Sequence, residues 1–308
     1  MAVASAKTAS GAPAPTRGRS KGMPEGRLAK LMVSPSLILI AIVGAWPIIY
    51  ALWLSLHEYS VRVAGLSRWA GLDNYTDALT DGDWWSAFYH TIVFTVSSVF
   101  FETLIGLGMA LAMHRAFKGQ GVLRTVVLVP WAVLTVVTAV MWRTMFVSPY
   151  GFVNEIFGTT TVWLGSSPEA LIICIIADVW KTAPFMALLL LAGLQVIPNE
   201  IYDAAKVDGA TPWQRFVRIT MPLLKPALLV ALIFRTLDAL RVFDLPWVLT
   251  QGQVGTSTLS TIAQETFATN RIYGLGSAMA VLTFIIVMGV SMMYIRFIGG
   301  NIRGMADD

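Results

Sequence analysis

Charge is scarce in this chain. Only 13% of its 308 residues are Asp, Glu, Lys or Arg, while 56% are hydrophobic; a soluble domain carries about 25% charged residues. That excludes an ordinary water-soluble globule, because most of this apolar surface has to face lipid or other apolar helices. Cysteine is almost absent. Cys174 stands alone in an apolar run, which excludes a disulfide framework or a thiolate metal cluster and leaves the role of a small buried hydrophobe. The three histidines, His57, His90 and His114, sit near the ends of apolar runs without H-E-x-x-H or other ligand spacing, so a metalloenzyme has no support. No G-x-x-x-x-G-K-[ST] phosphate loop occurs, so the chain itself is not expected to hydrolyse ATP. No Ser-His-Asp constellation can be assembled. The net charge of +4 comes without a basic patch interleaved with aromatics, which argues against nucleic acid as a partner.

What is present is a set of long apolar runs. A helix needs about 20 residues to cross the hydrocarbon core, and six stretches qualify: 31–56, 88–113, 124–146, 169–195, 223–249 and 274–298. Helices are the open-ended elements that satisfy their own backbone in lipid, so the fold class is an all-α membrane protein of six transmembrane helices. Pro47, Pro130, Pro184 and Pro246 are expected to kink or break the helices they fall in. Residues 1–30, rich in Ala, Gly, Pro and Ser, read as a disordered basic tail; the run after it is too long for a signal peptide and no cleavage site follows. Residues 299–308 form a short second tail. Fifteen Lys and Arg fall in the two tails and the 114–124 and 196–225 loops, against Arg62, Arg68 and Arg271 in the other three loops. By the positive-inside rule both termini are cytoplasmic and the protein resides in the plasma membrane. The outer loop 57–87 carries Asp73, Asp77, Asp81, Asp83, Trp69, Trp84 and Trp85; its aromatics suit the headgroup level, or a docking surface for an outside partner.

Between the fourth and fifth runs lies a polar insert, YDAAKVDGATPWQRFVRITMPLL, from Tyr202 to Leu224. Asn199 after Pro198 is expected to cap a helix running to about Val207. Gly209 supplies the left-handed residue that closes it. Thr211-Pro212-Trp213-Gln214 then combines a capping box with proline at the first helical position, opening a second helix to about Thr220 that Pro222 stops. Ile201, Ala204 and Ala205 share one face of the first helix. Two readings fit: an amphipathic helix lying on the membrane surface, or a rigid docking knob whose alanines admit close approach by another protein.

Asp203-Ala204-Ala205, three residues to Gly209, nine more to Ile219, then Met221-Pro222 resembles the EAA loop of ATP-binding-cassette (ABC) importer permeases. Asp203 stands for the family's glutamate and Met221 for its leucine. Gly71-Leu72-Asp73-Asn74-Tyr75, Trp163-Leu164, Asp178-Val179-Trp180-Lys181, Phe243-Asp244-Leu245-Pro246 and Leu249-Thr250-Gln251-Gly252 resemble the carbohydrate-specific, maltose-type branch, and within it the trehalose permeases, over roughly residues 30–298. The resemblance implies a type I ABC importer transmembrane domain, with the EAA loop at about 198–222 inside a permease domain spanning 31–298. It implies that Asp203, Ala204, Ala205, Asp208, Gly209, Ile219 and Pro222 couple to a cytoplasmic ATPase. It further implies a second homologous permease, two ATPase subunits that bind ATP and Mg, an extracytoplasmic sugar-binding protein or lipoprotein, and a di- or oligosaccharide substrate, trehalose first. No cofactor is expected on this chain.

Charges inside the spans cost about 2.5–3.5 kcal/mol each on insertion scales, yet several occur. Arg235, Asp238, Arg241 and Asp244 alternate in sign at every third position of the fifth run, Asp178 and Lys181 are three apart in the fourth, and Glu102 is central in the second. At 1.5 Å per residue, Asp178 and Asp238 fall near mid-membrane. Either these ladders pair along each helix and lock the bundle, or Glu102, Asp178, Lys181, Asp238, Arg241 and Asp244 line a polar sugar path with Trp180 or Trp247 stacking on a ring. The rival class is a secondary transporter driven by an ion gradient, which would show inverted repeats and discontinuous helices; no internal repeat is evident. A permease for another sugar or a glycerol-phosphate-type solute is the nearer alternative. An intramembrane enzyme or a purely structural subunit would leave the doubly capped insert without a role.

Overall fold

A computed structural model describes residues 25–60, 67–114, 118–165, 168–252 and 255–306, with side chains to residue 296. Of the basic residues that set the orientation, Lys7, Arg17, Arg19, Lys21, Arg62 and Arg115 lie outside the described residues. The chain divides into two units, Met1–Tyr50 and Ala51–Asp308. In the first, helix α1 (Glu25–Ile40) begins inside the stretch expected as tail and passes through a wide π turn, Ala41–Ala45, into α2 (Trp46–Ser55), of which Ala51–Ser55 belong to the second unit. Pro47 comes one residue after that turn, and the i→i+5 spacing relieves the clash its ring would otherwise make in the preceding turn.

After α2 the second unit contains a feature that the all-α expectation does not. Strands β1 (His57–Tyr59) and β2 (Ser67–Trp69) pair antiparallel, with His57 opposite Trp69. Helix α3 (Asp73–Thr80) follows. Here the Gly71–Tyr75 motif ties the start of α3 to the end of α2. Buried Asn74 donates to the carbonyls of Ser55 (2.9 Å) and His57 (3.0 Å), and the Tyr75 hydroxyl meets Ser55 Oγ at 2.6 Å. The sequence groups Trp84 with Trp69 and Trp85 at the membrane surface. Trp84 is instead buried in a core cluster with Leu259 and Met279, while the other two are exposed.

The span helices are α4 (Gly82–His114), the pair α5 (Gln120–Ala132) and α6 (Thr135–Phe146), then, after the short α7 (Phe152–Phe157), α8 (Glu169–Gln195). The third run is not the continuous helix expected over 124–146. It bends by 86° at residues 133–134, because Pro130 withdraws a backbone donor just before the turn and Val133 and Leu134 take extended ψ. Pro184, by contrast, sits inside an unbroken α8. Helices α4 and α8 form the central pair. Gly106 lets them close up, since a Cβ there would stand 2.8 Å from Met186 Cγ.

The insert contains α9 (Asn199–Val207) and α10 (Pro212–Arg215). Pro222 does not stop the second helix. A π turn, Phe216–Thr220, carries α10 straight into α11 (Met221–Ala239), giving one 28-residue helix, Pro212–Ala239. The wide turn again makes room for a proline ring. The fifth run, expected to continue to residue 249, ends at Ala239; the chain breaks and restarts as α12 (Asp244–Thr250), with Pro246 in its first turn, followed by α13 (Leu259–Gln264) and α14 (Tyr273–Ala306).

Candidate functional site

Three helices far apart in sequence bring their charges to one point. Arg235 on α11, with its side chain 3% exposed, donates from Nε and Nη2 to the two oxygens of Glu102 on α4 (2.5 and 2.7 Å). Its Nη2 also reaches Asp178 Oδ2 on α8 (2.9 Å), and its Nη1 reaches Asp238 Oδ2 one turn along α11 (2.6 Å). The Thr182 hydroxyl is within 2.6 Å of both Glu102 Oε1 and the Asp178 carbonyl. A buried carboxylate is tolerated only when paired and hydrogen-bonded, and one guanidinium satisfies two such groups here. The fork geometry of arginine makes this possible; a lysine could not reach all three partners.

This rearranges the ladders expected from the sequence. Asp178 does not pair with Lys181. The Lys181 ammonium turns instead to the Val133 carbonyl (2.9 Å) at the bend between α5 and α6, where helix-terminal carbonyls have lost their intrahelical donors. Arg235 and Asp238 do pair as i, i+3 neighbours, but the run stops there. Arg241 lies past the end of α11, 3.8 Å from Asp238 Oδ1 with both side chains largely exposed, and Asp244 starts α12.

These groups face a cavity of about 340 Å³ lined by Asp178, Lys181, Thr182, Arg235, Asp238, Arg241 and Asp244. Glu102 lies behind its wall, buried against Arg235. Neither aromatic expected to stack on a sugar lines this cavity: Trp180 packs edge-on against Trp142, and Trp247 stacks on Phe243. The aromatic walls are Trp131 and Phe243, and Thr135 joins them. Trp131 is delivered by the bend after Pro130, and Phe243 by the break after Ala239. Sequence reasoning passes over Trp131, although the adjoining proline marks the place. It also misses Arg143, which donates to the Val248 carbonyl (3.3 Å) and ties α6 to α12.

The insert forms a second polar region. Helix α9 starts at Asn199, but its N-cap is Pro198, and no side chain caps it. Proline's fixed φ takes the extended cap position, which moves Asn199 into the first turn. Gly209 holds φ +79°, and its amide donates to the Lys206 carbonyl (3.1 Å) while that of Ala210 donates to Ala205 (2.9 Å). The Thr211–Gln214 capping box is complete in both directions. Tyr202 faces inward and shares a hydrogen bond with Thr220 (3.1 Å), which locks α9 onto the π turn. Asp203, Ala204, Val207, Asp208 and Pro222 are exposed, Ala205 and Ile219 are half-buried, and Trp213 stands out at 71% exposure.

Residues 102–298 match a family described as binding-protein-dependent transport system inner membrane component. The chain is 44% identical over 278 residues to the trehalose/maltose transport system permease protein MalF of Thermococcus litoralis, covering 88% of this chain and 94% of that one. It is 40% identical over 282 residues to the trehalose transport system permease protein SugA of Mycobacterium tuberculosis, covering 92% of each. Its fold resembles that of a bacterial alginate ABC transporter in complex with an alginate pentasaccharide-bound periplasmic protein, with TM-score 0.76 and 22% identity, covering 87% of this chain and 92% of that chain. With the six-run architecture, the Arg235 cluster and the two-helix insert in place, the chain belongs to the family of inner-membrane components of binding-protein-dependent transport systems, the permease subunits of ABC importers.

Proposed function

We propose that this permease carries trehalose, or a closely related di- or oligosaccharide, through the cavity beside Arg235, and that its insert is the contact through which cytoplasmic ATPases drive it. The observation that carries the substrate is the 44% and 40% identity, over nearly the whole chain, to permeases named for trehalose and maltose. The cavity supports it: exposed Asp238, Arg241 and Asp244 offer hydrogen bonds to hydroxyls, and Trp131 and Phe243 offer ring faces. In this reading Glu102 and Asp178 do not touch sugar. They hold Arg235 in place, and Lys181 steadies the bend.

The insert would seat Asp203, Ala204, Ala205, Asp208 and Gly209 in a cleft of an ATPase subunit, with Ile219 and Pro222 linking that contact to the span. Two ATPases would supply ATP hydrolysis, this chain none; a second permease would complete the pathway, and an outside sugar-binding protein would deliver the substrate. The excess of Lys and Arg in the tails and in the 114–124 and 196–225 loops supports cytoplasmic termini. The breaks in the third and fifth runs are discontinuities of the kind secondary transporters use, but here they shape a cavity wall within a permease family.

Uptake of labelled trehalose by vesicles holding the assembled transporter and its binding protein tests the substrate. No trehalose uptake alongside uptake of another sugar would sink that choice. For the coupling contact, Gly209→Val forces a β-branched residue into a left-handed backbone, at about 1–3 kcal/mol of local strain. It is expected to abolish uptake and ATPase co-purification while membrane insertion stays normal; normal uptake and co-purification would refute the docking role.

A further inference from the structure

A second cavity of about 380 Å³ adjoins the first, and Arg241 and Phe243 line both. The break between α11 and α12 explains the sharing, because a chain out of helical register can present alternate residues to either side. The two cavities differ in chemistry. The first is walled by three acids, Asp178, Asp238 and Asp244, and three bases, Lys181, Arg235 and Arg241. Among the described residues lining the second, Arg241 is the only ionisable side chain; the polar groups include Ser260, Gln264 and Ser277, and Phe243 and Phe267 add ring faces.

That lining discriminates between ligand classes. A cation would meet no carboxylate there. An anion would meet only Arg241, whose guanidinium lies 3.8 Å from the Asp238 carboxylate. A lipid chain would strip water from hydroxyls and an amide without replacing their hydrogen bonds, at about 1–3 kcal/mol for each group left unmade. A neutral sugar ring satisfies both kinds of surface, since its hydroxyls match Ser260, Gln264 and Ser277 and its C–H face matches the phenyl rings.

We propose that the second cavity receives one ring of a disaccharide while the other ring occupies the charged cavity, with Arg241 and Phe243 at the junction. This rests on the sugar-importer reading above and narrows it to a two-ring neutral substrate whose halves meet different chemistry. Two variants test it. Ser260→Trp fills the second cavity without altering Asp178, Asp238 or Arg241. Gln264→Leu, at an exposed position, removes only the amide. Both are assembled with their partner subunits in vesicles, and trehalose uptake is measured beside ATP hydrolysis stimulated by the binding protein.

Ser260→Trp is expected to lower uptake at least about tenfold with stimulated hydrolysis retained. Gln264→Leu is expected to lower it about fivefold, the size of one neutral hydrogen bond. Unchanged uptake in Gln264→Leu overturns the proposal, as does unchanged uptake in Ser260→Trp. If Ser260→Trp loses hydrolysis and uptake together, Gln264→Leu alone decides. A parent transporter that carries no sugar would instead refute the sugar reading itself, a result separate from either variant's.

Discussion

The insert at residues 199–220 and the cluster around Arg235 are both polar regions in an apolar chain, and they meet the cost of polarity in opposite ways. The insert satisfies most of its groups locally. Thr211 bonds Gln214, Asp203 bonds Lys206 and Gly209 closes α9, all within a few residues. The cluster is satisfied mainly by tertiary structure, because Arg235 lies 133 positions from Glu102 and 57 from Asp178, and only its Asp238 partner is a helix neighbour. A locally satisfied element keeps its shape while exposed, which suits a surface that meets a partner. A cluster assembled from three helices exists only while those helices stay together, so it reports on and enforces their packing.

The contrast breaks most readily at Arg235. Arg235→Met would leave Glu102 and Asp178 buried without a counter-charge, and the assembled complex should lose about 3–5 kcal/mol of stability. Thermal unfolding of the purified complex in detergent measures this. A loss under about 1 kcal/mol would mean that the carboxylates find other partners, and the two regions would no longer differ in kind. In the insert, Thr211→Ala removes one half of a capping box at a cost of about 1 kcal/mol. Its signature should be faster amide exchange confined to residues 210–216, with the unfolding midpoint nearly unmoved; exchange spreading into the spans would show that the insert is not self-contained. Lys206→Ala is the mildest. Its ion pair with Asp203 is more than half exposed on both sides, so stability should change by less than about 0.5 kcal/mol. A larger fall would give that surface pair a structural weight its exposure does not suggest.

The same division governs what is readable from sequence. The capping box, the left-handed Gly209 and the existence of the apolar runs, though not the breaks in the third and fifth, are legible because each depends on neighbours in the chain. Asn199 is misread as the cap because Pro198 can occupy that position itself. Across the cluster, spacing suggests pairs within helices, Asp178 with Lys181 and a four-membered ladder in the fifth run. The structure pairs Asp178 with Arg235 and Lys181 with a carbonyl, because the bend at Val133 creates an unsatisfied acceptor that no one-dimensional pattern announces. Proline is an unreliable guide for a related reason. Pro130 precedes a bend, Pro184 disturbs nothing visible, and the rings of Pro47 and Pro222 are accommodated by π turns that proline alone does not announce.

The turn before Pro222 has a mechanical consequence. Because it keeps Pro212–Ala239 as one helix, Trp213 and Arg235 are two ends of a single rod. That rod crosses α8 where Gly193 admits Ala227 and Leu224 so closely that a Cβ would collide with both. At 1.5 Å per residue the arms are about 21 Å from Trp213 to Ala227 and about 12 Å from Ala227 to Arg235. If the insert is pushed as proposed and the rod tilts about that crossing, the charged cluster would move the opposite way at a little over half the amplitude, turning a long stroke at Trp213 into a shorter, more forceful one at Arg235.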